Sequence, residues 1–260
     1  YYTGLFTFGD GAANNLAYTI NLTRNNTRIN PIFPTGGSTF SISGKFTPPY
    51  SLFSGTDYTS LGDLPEFQDE LGNPDVEKID QEKFRWLEFY KIKFNGTWYT
   101  PIYEKLVLKT QADFGFIGAY NLSRGNIPFE RFFLGGDGMV SYALDGRETI
   151  ALRGYPNQSL SSRDGSVIYN KFSLELRYPI TLKPSASIYA LTFLEAGKGY
   201  DTFREFNPFV SKRSAGAGVR IFMPAFGLLG IDFGYGFDNV NSNLSTPNGW
   251  ETHFVIGQRF

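Results

Sequence analysis

The chain has 260 residues, a formal net charge of −1 and no cysteine. Near-zero charge gives no strong pull toward nucleic acid or an anionic surface, and the missing thiols exclude a disulfide scaffold and thiolate metal sites. Aromatic residues reach 17%, with 26 Phe and 16 Tyr beside 29 Gly, while hydrophobic residues stop at 41%. No apolar run approaches the roughly 18 residues of a membrane helix, but a membrane barrel, apolar on one face of each strand, stays open beside a soluble β-sandwich. No signal peptide is visible at Tyr1, so the chain is expected to be mature or a C-terminal piece.

Alternation begins at Leu16. Leu16, Tyr18, Ile20 and Leu22 share one face and Ala17, Thr19 and Asn21 the other. A turn rich in Pro and Gly (Pro31, Pro34, Gly36, Gly37) leads to Phe40, Ile42 and Phe46, set against Ser41, Ser43 and Lys45. Residues 48–85 read as a long solvated loop, with nine acidic residues against three basic between Asp57 and Arg85 in no calcium-loop spacing. Next, Tyr90, Ile92, Phe94 and Trp98 oppose Lys91, Lys93, Asn95 and Thr97. Leu106, Leu108, Ala112, Phe114 and Phe116 oppose Lys105, Lys109, Gln111, Asp113 and Gly115. Charges on the second face suit a wet interior better than a closed core.

A long stretch, 121–168, has no sustained alternation and contains Ala151-Leu152-Arg153-Gly154-Tyr155-Pro156. A loop of that length in a compact domain is functional or disordered. After it, Phe172, Leu174, Leu176 and Tyr178 oppose Ser173, Glu175 and Arg177. Ile188, Ala190, Thr192 and Leu194 oppose Tyr189, Leu191, Phe193 and Glu195. Ala215, Ala217, Val219 and Ile221 then face away from Ser214, Gly216, Gly218 and Arg220, and Leu229 to Phe237 oppose Gly230, Asp232, Gly234 and Gly236. The last segment sets Trp250, Phe254, Ile256 and Phe260 against His253, Val255, Gly257 and Arg259.

The pattern predicts nine strands of about 10–14 residues, long enough to cross a bilayer when tilted. Connections sort into short turns (25–37, 101–105, 180–186, 223–227) and long loops (48–85, 121–168, 200–211, 238–248). Short turns on one side and long loops on the other describe an all-β, transmembrane antiparallel β-barrel of an outer membrane, with the long loops extracellular. An odd strand count further predicts that the start of the barrel lies upstream of this chain.

Four stretches carry a resemblance: Ile32-Phe33-Pro34-Thr35-Gly36-Gly37-Ser38 before a strand; Phe132-Phe133-Leu134-Gly135-Gly136 followed by Leu152-Arg153-Gly154-Tyr155; Phe193-Leu194-Glu195-Ala196-Gly197; and the ending Phe254-Val255-Ile256-Gly257-Gln258-Arg259-Phe260. From about residue 14 onward the sequence resembles the BamA/TamA-type barrel superfamily of outer-membrane assembly factors, which also includes two-partner secretion transporters. It departs at Leu152, where Val or Ile is usual, and at Glu195, where Asp is commoner. The resemblance implies a sixteen-strand barrel preceded by periplasmic domains. Residues 1–260 would then be its C-terminal portion, the last nine strands, with the upstream domains and first seven strands absent.

The resemblance also implies that the loop 121–168 folds into the lumen, where its arginine meets acidic residues. Alternation supplies Glu175 and Glu195 on the polar face of adjacent strands as partners for Arg153. Stranding a buried charge there would cost roughly 3–5 kcal/mol. Whether the loop is a fixed plug or moves in the working cycle stays open. The last strand (Phe254, Ile256, Gly257, Phe260) is expected to close the barrel against the first, with Gly257 favouring a kink that weakens the seam.

The implied function is folding and insertion of β-barrel proteins by lateral gating and strand templating. The partners would be outer-membrane lipid, unfolded barrel clients and accessory lipoproteins, with no nucleic acid, cofactor or metal. Alternatives are a two-partner-secretion translocation pore, a TamA-like factor, a diffusion porin, and the barrel of a patatin-like fusion. No enzyme is expected: His253 is the one histidine, on the inner face of the last strand, and no nucleophile-histidine-acid spacing occurs. Glu175 and Glu195 are a conceivable acid–base pair, but an arginine between them favours an ion pair.

Overall fold

The structure is a computed structural model that describes residues 12–27, 30–139, 146–183, 185–240 and 246–257. Nine strands form one antiparallel sheet in chain order: β1 (Tyr18–Asn25), β2 (Gly37–Phe46), β3 (Tyr90–Tyr103), β4 (Leu106–Gly118), β7 (Ile168–Lys183), β8 (Ala186–Tyr200), β9 (Lys212–Met223), β10 (Gly227–Gly236) and β11 (Gly249–Ile256). The order skips from β4 to β7 because two short strands, β5 (Phe132–Leu134) and β6 (Glu148–Ile150), pair in parallel inside the intervening loop. Among the described residues the sheet stays open, with β1 and β11 at its edges. No helix is long and apolar enough to cross a membrane.

The two faces are inverted relative to a water-soluble core. On β7, Phe172, Leu174, Leu176, Tyr178, Ile180 and Leu182 are 37–61% exposed, whereas Ser173, Glu175 and Arg177 between them are buried. Strand period two puts every apolar residue of that run outward. Such an apolar belt suits hydrocarbon, and the charged face suits the interior of a barrel. Charges on the inner face are matched across strands: Lys109 lies opposite Glu175, and Asp113 opposite Lys171. Register shifts fall at Pro101/Tyr103 and Pro179/Thr181, where a proline cannot donate to the ladder.

Three expectations need correction. Residues 48–85 are not a plain solvated loop. They contain α1 (Ser51–Ser54) and α2 (Val76–Phe84), and they bury Tyr58, Leu61 and Phe84. The side chain of Asp75 caps α2 by accepting from the backbone N–H groups of Lys78 and Glu77, and the Lys78 bond holds its carboxyl below the ordinary value. A buried pair, Arg124 Nη1 to Glu88 Oε2 at 2.7 Å, ties the base of this segment to the residues after β4. Second, the loop before β7, which shows no sustained alternation in sequence, nonetheless contains the short β5–β6 pair. Third, Gly257 is not inside the last strand. β11 ends at Ile256, and Gly257 follows with φ +105°, a conformation that glycine alone adopts without strain.

The loop packs into the interior. Phe132, Leu134, Leu152, Tyr155 and Leu160 from the loop pack with Phe89, Ile117 and Tyr169 of the wall and with Phe84 and Leu87. At the short-turn end the residues before β2 fold inward. Phe33 is buried edge-on against Tyr189, 5.3 Å between ring centroids, in a cluster with Val107, Leu191 and Phe193.

Candidate functional site

The two halves of the loop signature are hydrogen-bonded to each other. Gly136 N donates to Leu152 O at 3.0 Å, and Leu152 N to Gly136 O at 3.1 Å. This folds Leu152-Arg153-Gly154-Tyr155 back onto the Gly-Gly turn and presents it to the wall. Gly154 has φ +85°, and a Cβ there would lie 2.9 Å from Ser214 Cβ and 3.0 Å from Gly236 N. The wall is equally bare on its side: a Cβ on Gly234 would come within 2.7 Å of Gly154 N. The alternating glycines of β10 are the flat surface against which the loop backbone lies. Gly197 plays the same part on β8, where a Cβ would meet Leu152 Cδ1 at 3.1 Å.

Arg153 occupies the centre of this seat. Its Nη2 is 2.8 Å from Glu175 Oε1 and 2.7 Å from Glu195 Oε1, and its Nη1 is 3.3 Å from Asp232 Oδ2. Its backbone N donates to Glu195 Oε2 at 2.9 Å. The guanidinium also stacks on Phe193, 3.7 Å from the ring centroid. The structure therefore brings both sequence-assigned carboxylates onto Arg153 and adds a third, Asp232. Asp232 was visible as the one charged residue among inward glycines of β10. Its pairing was not visible, because it depends on how far the sheet curves.

Each carboxylate also has a cation of its own on the wall. Arg177 bonds Glu175, Lys171 lies 3.3 Å from Glu195, and Arg220 is 2.6 Å from Asp232. With Lys109 also 3.9 Å from Glu175, the three acids face four wall cations apart from Arg153. This revises the expected cost of losing Arg153: its departure strands no acid, so the penalty for an unpaired buried charge does not apply in full.

A second set of contacts has the reverse polarity and was not foreseen. Here the loop supplies the acids, Glu130 and Glu148, and the strands supply lysines. Lys45 is 2.5 Å from Glu130, Lys91 is 3.0 Å from Glu148, and Lys93 is 2.9 Å from Glu148. Burial works against ionisation of Glu148, yet Lys91 and Lys93 together hold its carboxyl below the ordinary value. The loop is thus clamped to β7, β8 and β10 by its arginine and to β2 and β3 by its glutamates.

The rest of the motif reaches the end of the chain. Tyr155 is fully buried, and its hydroxyl donates to Arg213 O at 2.6 Å. Gly154 N donates to His253 Nε2 at 2.8 Å, and Asn248 Nδ2 donates to Gly154 O at 2.9 Å. His253 is on β11 and Asn248 immediately precedes it, so the loop backbone is fastened to the last strand. The acceptor role fixes His253 as the neutral tautomer protonated at Nδ1. Phe254 and Ile256 point outward and are exposed, while Phe260 lies outside the described residues. Among the described residues no cluster of His, Asp and Glu has metal-binding geometry.

Residues 7–260 match the model of the Omp85 superfamily domain. No curated protein matches the chain in sequence. Among solved structures, the chain is similar to the crystal structure of BamA from Haemophilus ducreyi lacking POTRA domains 1-3, with a TM-score of 0.58 at 19% identity. The likeness covers 92% of this chain and 41% of that one. Nearly the whole length falls within the family model, and the inside-out sheet is of the same fold; the chain belongs to the Omp85 superfamily and forms part of a β-barrel of the bacterial outer membrane.

Proposed function

We propose that the chain is the C-terminal part of the barrel of an assembly factor that folds β-barrel proteins and inserts them into the outer membrane. In this reading residues 48–85 and the other long connections are extracellular, residues 121–168 form a lumen plug, and β11 is the movable side of a lateral gate. A client strand would add to a freed strand edge through main-chain hydrogen bonds, which need neither nucleotide nor metal. Its partners would be lipid, unfolded barrel clients and accessory lipoproteins.

The observation that carries the proposal is the fastening of Gly154 to His253 and Asn248. A plug bound to the last strand links the state of the lumen to the state of the seam. The neutralised seat fits the same reading, because Arg153 can leave without stranding an acid.

The test uses the full-length protein in cells depleted of the native copy. His253→Ala removes the acceptor for Gly154 N. The expected result is a general fall in folded outer-membrane barrels while the variant itself still shows heat-modifiable migration on gels. Loss of one exported protein with barrel levels intact would instead mark a two-partner-secretion-type translocation pore. A TamA-like factor would lower only a subset of barrels. Normal levels of all barrels and exported proteins would refute the coupling.

A further inference from the structure

The outer face of the sheet is not uniformly ridged. Between β4 and β10 it carries a depression of about 730 Å³, bordered by Phe172, Leu174, Leu194 and Phe237, with Ala112 and Ala196 in its lining. A second depression of about 430 Å³ follows along the same strands toward the short turns, lined in part by Ala190, Thr192, Ala217 and Val219. Small side chains of β8 and β9 line both depressions, Leu194 of β8 stands between Ala196 and Thr192 on the same face, and aromatic and leucine side chains of β7 and β10 make the banks.

Taken end to end, the two depressions form a trough that spans the depth of one leaflet. From Arg213 to Val219 along β9 is six steps, ~20 Å at the usual strand rise, or ~15 Å of depth at a tilt of ~40°, about half of a ~30 Å hydrocarbon core. It begins at the long-loop end, and there the surface changes character. Arg213 lines the mouth with its side chain 67% exposed, and Asp238 takes its Nε and Nη2 at 3.2 and 3.0 Å. Among the described residues this leaves its other amino group open to a further acceptor. Lys198, two residues beyond Ala196 on the same face of β8, holds its ammonium 5.0 Å from the centroid of the Tyr200 ring.

The mouth is also built. The connection from β8 to β9 at this end is fastened down: Asn170 Nδ2 donates to Ser211 Oγ at 3.2 Å, Tyr200 OH to Val210 O at 3.0 Å, and Phe203 packs on Phe116 at 5.9 Å between centroids. Phe209, at the tip of this fixed loop, is 95% exposed. An exposed aromatic and two cations at the same end of an apolar trough is the layout of a boundary between headgroup and hydrocarbon.

We propose that this trough is a binding site for one acyl chain of a phosphate-bearing lipid of the outer leaflet, with the phosphate held by Arg213 and Lys198. The trough supplies the hydrocarbon contact and the guanidinium supplies hydrogen-bond donors matched to phosphate oxygens. The assignment to the outer leaflet rests on the orientation proposed above; the groove and its cations do not.

The test is photo-crosslinking on the purified full-length protein in phosphatidylcholine nanodiscs. Two probes carry a diazirine on one acyl chain: a phosphatidic acid and the matching diacylglycerol. Phosphatidic acid should label peptides of β8 and β9 in preference to the other outward strands, and diacylglycerol should label them about tenfold less, as expected for loss of a charge-assisted hydrogen bond. Lys198→Gln with Arg213→Gln should bring the two probes level, and Ala196→Trp should abolish the preference while heat-modifiable migration persists. Labelling spread evenly around the wall, equal labelling by both probes, or labelling untouched by Ala196→Trp would each overturn the site. Orientation is read separately. Phe209→Cys in intact cells should react with a membrane-impermeant maleimide; failure there would refute the extracellular placement and leave the lipid result standing.

Discussion

Glu195 grips Arg153 twice, through Oε1 to the guanidinium at 2.7 Å and through Oε2 to the backbone N–H at 2.9 Å. The same Oε1 lies 3.3 Å from Lys171. Glu195 is therefore the residue through which side chain and main chain of the loop are both fixed to β8. Glu175 and Asp232 reach only the side chain.

That asymmetry orders a mutant series. Glu195→Ala leaves Arg153 and Lys171 short of a buried partner and should loosen the loop by roughly 3–5 kcal/mol. Arg153→Met removes charged hydrogen bonds but leaves Glu175, Glu195 and Asp232 with Arg177, Lys171 and Arg220, so a smaller loss, about 1.5–3 kcal/mol, is expected. Protease sensitivity of the loop against denaturant would rank them. A loop loosened more by Arg153→Met than by Glu195→Ala would contradict the neutralised seat.

The reverse clamp predicts coupling between loop and β3. In a double-mutant cycle, Glu148→Gln and Lys93→Met should show an interaction on the order of 0.5–3 kcal/mol. The carboxyl of Glu148 is held below its ordinary value, so its contribution is present above the unfolded pKa of about 4.3 and is lost as pH falls through the folded value. Acid should therefore release this side of the loop, and Glu148→Gln should remove that acid step. Additive mutants with an unchanged acid profile would mean that the pair is not holding the loop.

Tyr155 predicts an alkaline transition of the loop. Burial pushes its phenol up to about 12. A raised value means that its contribution is complete below the unfolded pKa of about 10 and fades as pH rises toward the folded one. Loop protection against protease should fall between these values, and Tyr155→Phe, which lacks the bond to Arg213 O, should start weaker and show no such step. An identical alkaline transition in Tyr155→Phe would assign it to another group.

Glu175 and Glu195 were legible as inward residues because side-chain direction in a strand follows a period of two, a local rule. The glycines facing them were legible as gaps. The helices of 48–85 were hidden under a run of charges, since α2 is one short element with a weak apolar stripe and is stabilised mainly by its Asp75 cap and by the packing of Phe84.

By itself, then, the sequence determined the nine strands of the sheet, the apolar outer and polar inner faces, and the sorting of turns from loops, while the inward course of Arg153 came from the resemblance of its motif. Tertiary structure alone decided that Asp232, 57 positions after Glu175 in sequence, shares that arginine, that Glu130 and Glu148 bind lysines across the lumen, and that Gly154 is tied to His253. Alternation says which way a side chain points. What it meets there depends on how the sheet curves and on where the loop comes to rest, and both follow from contacts between residues far apart in the chain.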